Sequence, residues 1–179
     1  MIILVGASAS GKTEVAKRLG LLFGMKKVIT HTTREPRVGE KDGVDYYFVT
    51  VEEFQRLKDE GQFVETTFYN GNYYGTSKKE ISDNKVLIVD PEGLKHFKSL
   101  NDKRIVAFFI DVSRRTRRKR MLGRGDSVET ANSRIANDDE KFNLRNISDY
   151  DFIINNETLT IDEVACYIFE RYAQTISLL

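Results

Sequence analysis

The sequence predicts an α/β fold in which a parallel sheet is covered by helices on both faces. Three observations predict it. Residues 2–5, 86–89, 105–110 and 152–154 are continuously apolar runs, as strands buried on both faces require. Segments with helical spacing of apolar residues alternate with them. The first apolar run leads through a glycine-rich turn straight into a helical segment. Strands and helices that alternate in this way give parallel neighbours joined by crossovers.

Each element has its own justification. The run Ile2–Val5 stops at Gly6. Residues 14–23 place Val15, Leu19, Leu22 and Phe23 on one helical stripe, and Gly24 supplies a C-cap. From 30 to 77 the texture turns polar, glycine-rich and tyrosine-rich. Short strands at 45–49, 63–67 and 72–74 are separated by turns, clearest at Asp42-Gly43 and Asn70-Gly71, and by an amphipathic helix at 51–57. This stretch reads as an insertion into the α/β core. The core resumes at 86–89 ending in Asp90, at 105–110 ending in Asp111, and at 152–154 ending in Asn155 and Asn156. A last helix starts near Thr160, with Asp162 and Glu163 in its first turn and an apolar stripe of Ile161, Val164, Ala165, Ile168, Phe169 and Tyr172.

Composition removes several classes. At 179 residues the chain makes one well-cored domain. With 40% apolar and 31% charged residues, 12 Gly and 2 Pro, it is neither fibrous nor disordered. A net charge of +1 gives no basic field for nucleic acid or membrane. One cysteine, Cys166, and 2 His leave no disulfide framework and no zinc cluster. No run is apolar enough to span a membrane, and the N-terminus lacks a secretory pattern, so the expectation is a cytoplasmic protein.

Gly6-Ala7-Ser8-Ala9-Ser10-Gly11-Lys12-Thr13 fits G-x-x-x-x-G-K-[ST] between a strand and a helix, the context that the pattern needs. Glycines let successive N–H groups point inward at phosphate oxygens, and the helix start adds positive charge there. Lys12 would reach the β- and γ-phosphates, and the Thr13 hydroxyl would ligate Mg²⁺. Asp90, an acid closing an apolar strand, is either the carboxylate that handles this magnesium or an ordinary turn residue.

The second substrate is read elsewhere. Arg34 and Arg37 flank Pro36 in an extended segment, and arginine forks suit phosphate. They are followed by Asp45-Tyr46-Tyr47-Phe48-Val49, then Phe63-Val64-Glu65, then Gly71-Asn72-Tyr73-Tyr74-Gly75-Thr76. Without its neighbours, Glu65 would read as an outward-facing strand residue, and Tyr46 and Tyr74 as ordinary strand packing.

Together and in this order, these phrases resemble the guanylate kinase family, from the phosphate loop to Asn155. The resemblance implies a P-loop NTPase three-layer fold with a parallel core sheet, an acceptor-binding insertion of short antiparallel strands and a helical lid. The expected division is a core of 1–29, 78–112 and 141–179, a GMP-binding insertion of 30–77 and a lid of 113–140. By the same resemblance Arg34, Arg37, Tyr46 and Tyr74 hold the GMP phosphate, and Glu65 and Thr76 read guanine. The N1–H and N2–H₂ of guanine lie on one edge, where a carboxylate accepts from both, a donor pair that adenine lacks. Thr30 stands where the family has a base-reading serine, and Asp90 is shared between GMP and the metal.

The basic run 114–120 is open to three readings: a nucleic-acid patch, which its lack of aromatics disfavours; a solvated helix face, which suits Arg115, Arg118 and Lys119; and a lid closing over the triphosphate. Arg120 and Arg124 match the family's lid phrase R-x-x-x-R-G, and Arg134, on a helix at 129–142, matches a further family arginine. With Lys12 these three form the catalytic set that the resemblance implies. Asn155 falls where the family contacts adenine, and is otherwise a turn residue.

The chain departs from the family pattern at Ile88, where a second carboxylate is usual, and at His31, which replaces a small hydroxyl residue. The expected activity is transfer of the γ-phosphate of ATP to GMP, giving ADP and GDP with one Mg²⁺. Two alternatives differ in class or acceptor. A non-catalytic binding module of the same fold would have lost the phosphate loop. A kinase for another small phosphorylated acceptor would not need Glu65.

Overall fold

The structure is a computed structural model that describes residues 1–179 apart from 37, 70, 144–146, 148 and 179. Five strands, β1 (Ile2–Val5), β2 (Lys26–Lys27), β7 (Lys85–Ile88), β8 (Val106–Asp111) and β9 (Phe152–Asn155), make one sheet in the order β2-β7-β1-β8-β9. All its pairings are parallel. Strand β1 is central, and every one of its side chains is fully buried. Its alternating residues divide between two cores. Ile2 and Leu4 pack with Val15 and Leu19 of helix α1 (Lys12–Phe23) and with Val164 and Ile168 of α6 (Ile161–Ile176). Ile3 and Val5 pack with Leu94 and Phe97 of α3 (Pro91–Ser99) on the other face. This is the three-layer arrangement expected from uninterrupted apolar strands.

The helices end where local chemistry tells them to. Gly24 adopts a left-handed conformation and caps α1, its N–H donating to Gly20 O. Thr160 and Glu163 form a reciprocal capping box at the start of α6. Ser113 caps α4 (Arg114–Gly123), and Ser127 caps α5 (Val128–Lys141). These two helices share a small apolar cluster of Met121, Ala131 and Ile135.

Residues 31–77 build a second sheet from β3 (His31–Thr32), β4 (Tyr47–Phe48), β5 (Phe63–Tyr69) and β6 (Asn72–Ser77), ordered β4-β3-β6-β5. The β3–β6 and β5–β6 pairings are antiparallel, whereas the two-residue β3–β4 pairing is parallel. The short helix α2 (Val51–Asp59) covers this sheet, with Phe54 stacked on Phe63 and Tyr73 at 4.6 and 5.4 Å.

Glu80 ties the two sheets together. It is buried, accepts from the Ile29 N–H at 3.1 Å and the Tyr47 hydroxyl at 3.1 Å, and pairs with Lys85 at 2.7 Å. Burial alone would raise its carboxyl, but these three donors outweigh it and hold the group below its ordinary value. The stability it contributes is therefore present above the unfolded glutamate value of about 4.3 and is lost as pH falls through the lowered folded value. Glu80→Leu, which strands Lys85 and Tyr47, is expected to cost about 3–5 kcal/mol in denaturant melts at neutral pH. In Glu80→Gln the acid limb of the stability curve should flatten. An unchanged acid limb would show that the bridge is energetically idle.

Candidate active site

The loop after β1 lies at the carboxyl end of the central strand, between β7 and β8, where open α/β sheets hold ligands. Its glycines are dictated by space. A Cβ on Gly6 would stand 2.5 Å from the carbonyl oxygen of Ile110 on β8, and one on Gly11 would stand 3.0 Å from Asn156 Nδ2. Gly11, at φ 104°, is the N-cap of α1 and offers no side-chain acceptor, so the helix dipole faces outward uncapped. Lys12 Nζ donates to the carbonyls of Gly6 and Ala7 at 2.6 and 2.8 Å. The loop is braced from behind by Asn156, which is fully buried and donates to Ser10 O at 3.0 Å.

Next to this loop is a cavity of about 270 Å³ lined by Ala9, Gly11, Lys12, Thr13, Glu14, Arg120 and Arg124. The fold thus brings the loop lysine and threonine together with two of the three arginines selected by sequence. Arg120 donates to the carbonyls of Ala9, Ser10 and Asn156 at 3.2, 3.3 and 3.0 Å, fastening α4 to the loop. Arg124 pairs with Asp126 at 2.7 Å, and Arg134 reaches the same carboxylate at 3.5 Å instead of lining the cavity. Asp126, unmarked by any local motif, thereby sets where both arginines rest. Asn155 is the residue that the resemblance assigns to adenine. In the structure Asn155 turns its side chain back onto the Glu157 N–H, and its neighbour Asn156 touches the loop.

On the second sheet the residues expected at the acceptor gather in two groups. Arg34 sits over the Tyr46 ring at 5.4 Å, Tyr46 meets Tyr74 edge-on at 6.3 Å, and the Arg34 fork is held by Glu40 at 2.9 Å. Arg37 lies outside the described residues. Glu65 and Thr76 are cross-strand partners, and the Thr76 hydroxyl donates to Glu65 Oε1 at 2.7 Å. Thr30 and Tyr46 line a cavity of about 500 Å³ with Thr13, Lys17, Lys27 and Ile88, which joins the phosphate loop to the second sheet. Ile88 presents a half-exposed apolar wall to that space. His31 does not reach it. It is buried between Tyr47 and Phe63, with ring centroids at 4.7 and 5.3 Å, and is part of the second sheet's own core.

Asp90 does two things. One oxygen caps α3 by accepting from the Gly93 N–H at 2.8 Å, and the other pairs with Lys141 at 2.7 Å. Burial would raise its carboxyl, but these donors prevail and hold it below its usual range. Burial pushes the Lys12 ammonium down to about 8, against the attraction of Asp138. An arriving phosphate favours the charged form, so binding takes up a proton where Lys12 is neutral. Triphosphate affinity is therefore expected to fall as pH rises past about 8, by up to about tenfold per pH unit. Calorimetry across this range, in buffers of different ionisation enthalpy, checks it. A flat affinity with no proton uptake would contradict the assignment.

Comparison with known proteins agrees with this geometry. The family model described as guanylate kinase matches residues 1–171. The chain is 36% identical over 165 residues to the guanylate kinase of Fusobacterium nucleatum subsp. nucleatum, covering 88% of each chain. It is 40% identical over 138 residues to that of Schizosaccharomyces pombe, covering 73% of this chain and 68% of the relative. The crystal structure of guanylate kinase from Anaplasma phagocytophilum superposes with a TM-score of 0.66 at 28% identity, covering 97% of this chain and 84% of that one. Matched by that family model over nearly its whole length and by these relatives, the chain belongs to the guanylate kinase family and is a nucleoside monophosphate kinase.

Proposed function

We propose that the chain transfers the γ-phosphate of ATP to GMP, yielding ADP and GDP. The observation that carries this reading is the conjunction, in one fold, of a complete phosphate loop with the Glu65–Thr76 pair on the neighbouring sheet. One Glu65 oxygen receives Thr76, and the carboxylate keeps lone pairs for the N1–H and N2–H₂ of a guanine edge. Arg34, with Tyr46 and Tyr74 beside it and Arg37 beyond the described residues, is assigned to the acceptor phosphate. The intact Gly6, Gly11, Lys12 and Thr13 support catalysis over a purely binding role.

The donor set suits Mg²⁺ in the way such kinases use it. Among the described residues no cluster of three or more acidic, His or Cys side chains could cage a metal. Mg²⁺ in phosphoryl transfer takes few protein ligands, keeping waters and phosphate oxygens, so the Thr13 hydroxyl and the Asp90 carboxylate are an adequate hard-oxygen set. When bound with ATP, the ion would neutralise charge on the phosphates.

The chain's own residues supply positioning and charge. Loop N–H groups and Lys12 hold the donor phosphates, Arg120 and Arg124 close the cavity's outer side, and Arg34 and Arg37 aim the acceptor. Transfer is direct and in line. The GMP phosphate oxygen is already a nucleophile, so no general base is required. Closure of the arginine-bearing helices excludes water from the transferable group. Following the reaction by phosphorus NMR tests the reading: ATP and GMP should vanish one for one with ADP and GDP. ATP consumed with release of inorganic phosphate, and no GDP, would overturn it.

A further inference from the structure

Helix α5 makes three contacts with the site that the proposed reaction does not use. Asp138 Oδ2 accepts from the Ser8 N–H of the phosphate loop at 2.7 Å. Lys141 pairs with Asp90 at 2.7 Å. The Phe142 ring, at the end of the helix, lies 6.0 Å from Lys12 Nζ. Positions 138, 141 and 142 fall on one helical face. That face answers an anion-binding N–H with an acid, an acid with a base, and a cation with an aromatic ring.

Asp138 is the informative member. It is only 8% exposed, and a carboxylate is not buried without partners. Its shortest contact is the loop amide. The buried Arg117 approaches only to 3.4 Å and makes its closer contacts, 2.8 and 3.2 Å, to Asp139 and to the carbonyl of Val112. A carboxylate oxygen and a phosphoryl oxygen make the same kind of demand on an N–H group, and one N–H cannot serve both well. A triphosphate in the loop would also repel the adjacent carboxylate. The apolar residues that α4 and α5 share, Met121, Ala131 and Ile135, lie toward the start of α5. Its last turn is held to the loop and to Asp90 by polar contacts, which phosphate and solvent can replace. Asp139 meanwhile pairs with Arg114 and Arg117 of α4, and Phe142 packs against the core beside α3.

We propose that the last turn of α5 is an internal stand-in for the donor phosphate, in which Asp138 holds the Ser8 amide and is displaced when a triphosphate enters the loop. This rests on the reading of the loop as a triphosphate site. Donor binding then loosens the last turn of α5, and with it the Lys141 hold on Asp90, so that filling the donor side frees an acceptor-side carboxylate. The coupling is reciprocal, because whatever loosens α5 strengthens donor binding.

The test is calorimetric binding of ATP and of inorganic triphosphate to wild type, Asp138→Asn and Asp138→Ala, with GMP as a ligand that does not use the loop. Removing the competing charge should tighten both triphosphate ligands by about tenfold and change GMP affinity by less than that, because GMP feels the displaced turn only through Asp90. Equal or weaker triphosphate binding by a variant that melts cooperatively would overturn the proposal. Should both variants fail to fold, hydrogen exchange on the wild-type chain decides. Inorganic triphosphate should speed exchange of the amides of 136–141, and unchanged or slower exchange would overturn the displacement. The two readings fail separately. Tighter triphosphate binding without GDP formation would sink the proposed reaction alone, and GDP formation without tighter binding would sink the displacement alone.

Discussion

Lys12→Ala is expected to lower phosphoryl transfer by about a hundred- to a thousandfold, the scale of losing one preorganised donor at a site of developing charge. The loss should appear in kcat, with GMP affinity retained, because Lys12 lines the donor-side cavity and is absent from the acceptor-side one. Folding should survive. The ammonium is held by the carbonyls of Gly6 and Ala7 and the Ser10 hydroxyl, and burial already works against its charge. Its loss therefore removes a desolvated cation rather than a packing element. A steady-state assay paired with a thermal melt checks both halves, and a folded Lys12→Ala chain with full activity would refute the role given to the loop.

Glu65→Gln is expected to collapse base discrimination. A site built to accept from a substrate's N–H groups rejects analogues lacking them by about 10⁴-fold, because buried acceptors are left unpaired. The glutamine amide keeps one acceptor, which Thr76 already uses in the wild type, and turns a donor toward the incoming base. The strand pairing of Glu65 with Thr76 should survive, so the change is confined to recognition. The measurement is the ratio of kcat/KM for GMP to that for inosine monophosphate, which lacks the exocyclic amine, and for AMP. Both ratios should fall steeply in the variant. Ratios that do not move would place guanine recognition elsewhere.

The phosphate loop was legible because its chemistry is local: the residues that shape the turn, start the helix and carry the charge are consecutive. The core strands were legible for a similar reason, since a strand buried on both faces has nowhere to put a polar residue. What escaped was set by partners distant in sequence. Strand β2 is two exposed lysines, and only its backbone pairing with β7 makes it a strand. Asp90 announced a site but not the cap of α3, which depends on the Gly93 N–H behind it. His31 stands in the sequence only as a departure from the family pattern, and strand pairing turns it inward against Phe63. Asn155 and Asn156 are chemically identical, and only the path of the chain after β9 decides which one meets Ser10. Asp126 and Asp138, which set the resting places of Arg124, Arg134 and the Ser8 amide, carry no motif at all.

Ile88, where the resemblance leads one to expect a second carboxylate, lines the cavity that Thr30 and Tyr46 share with Thr13. The most direct test of the whole account is therefore acceptor turnover by the unmodified chain. ADP release from magnesium and ATP would be followed against GMP, dGMP, AMP, CMP and UMP in parallel. The account predicts turnover confined to the guanine acceptors, with Ile88 tolerated. Equal turnover of AMP or of the pyrimidines, or ADP release indifferent to any acceptor, would contradict it.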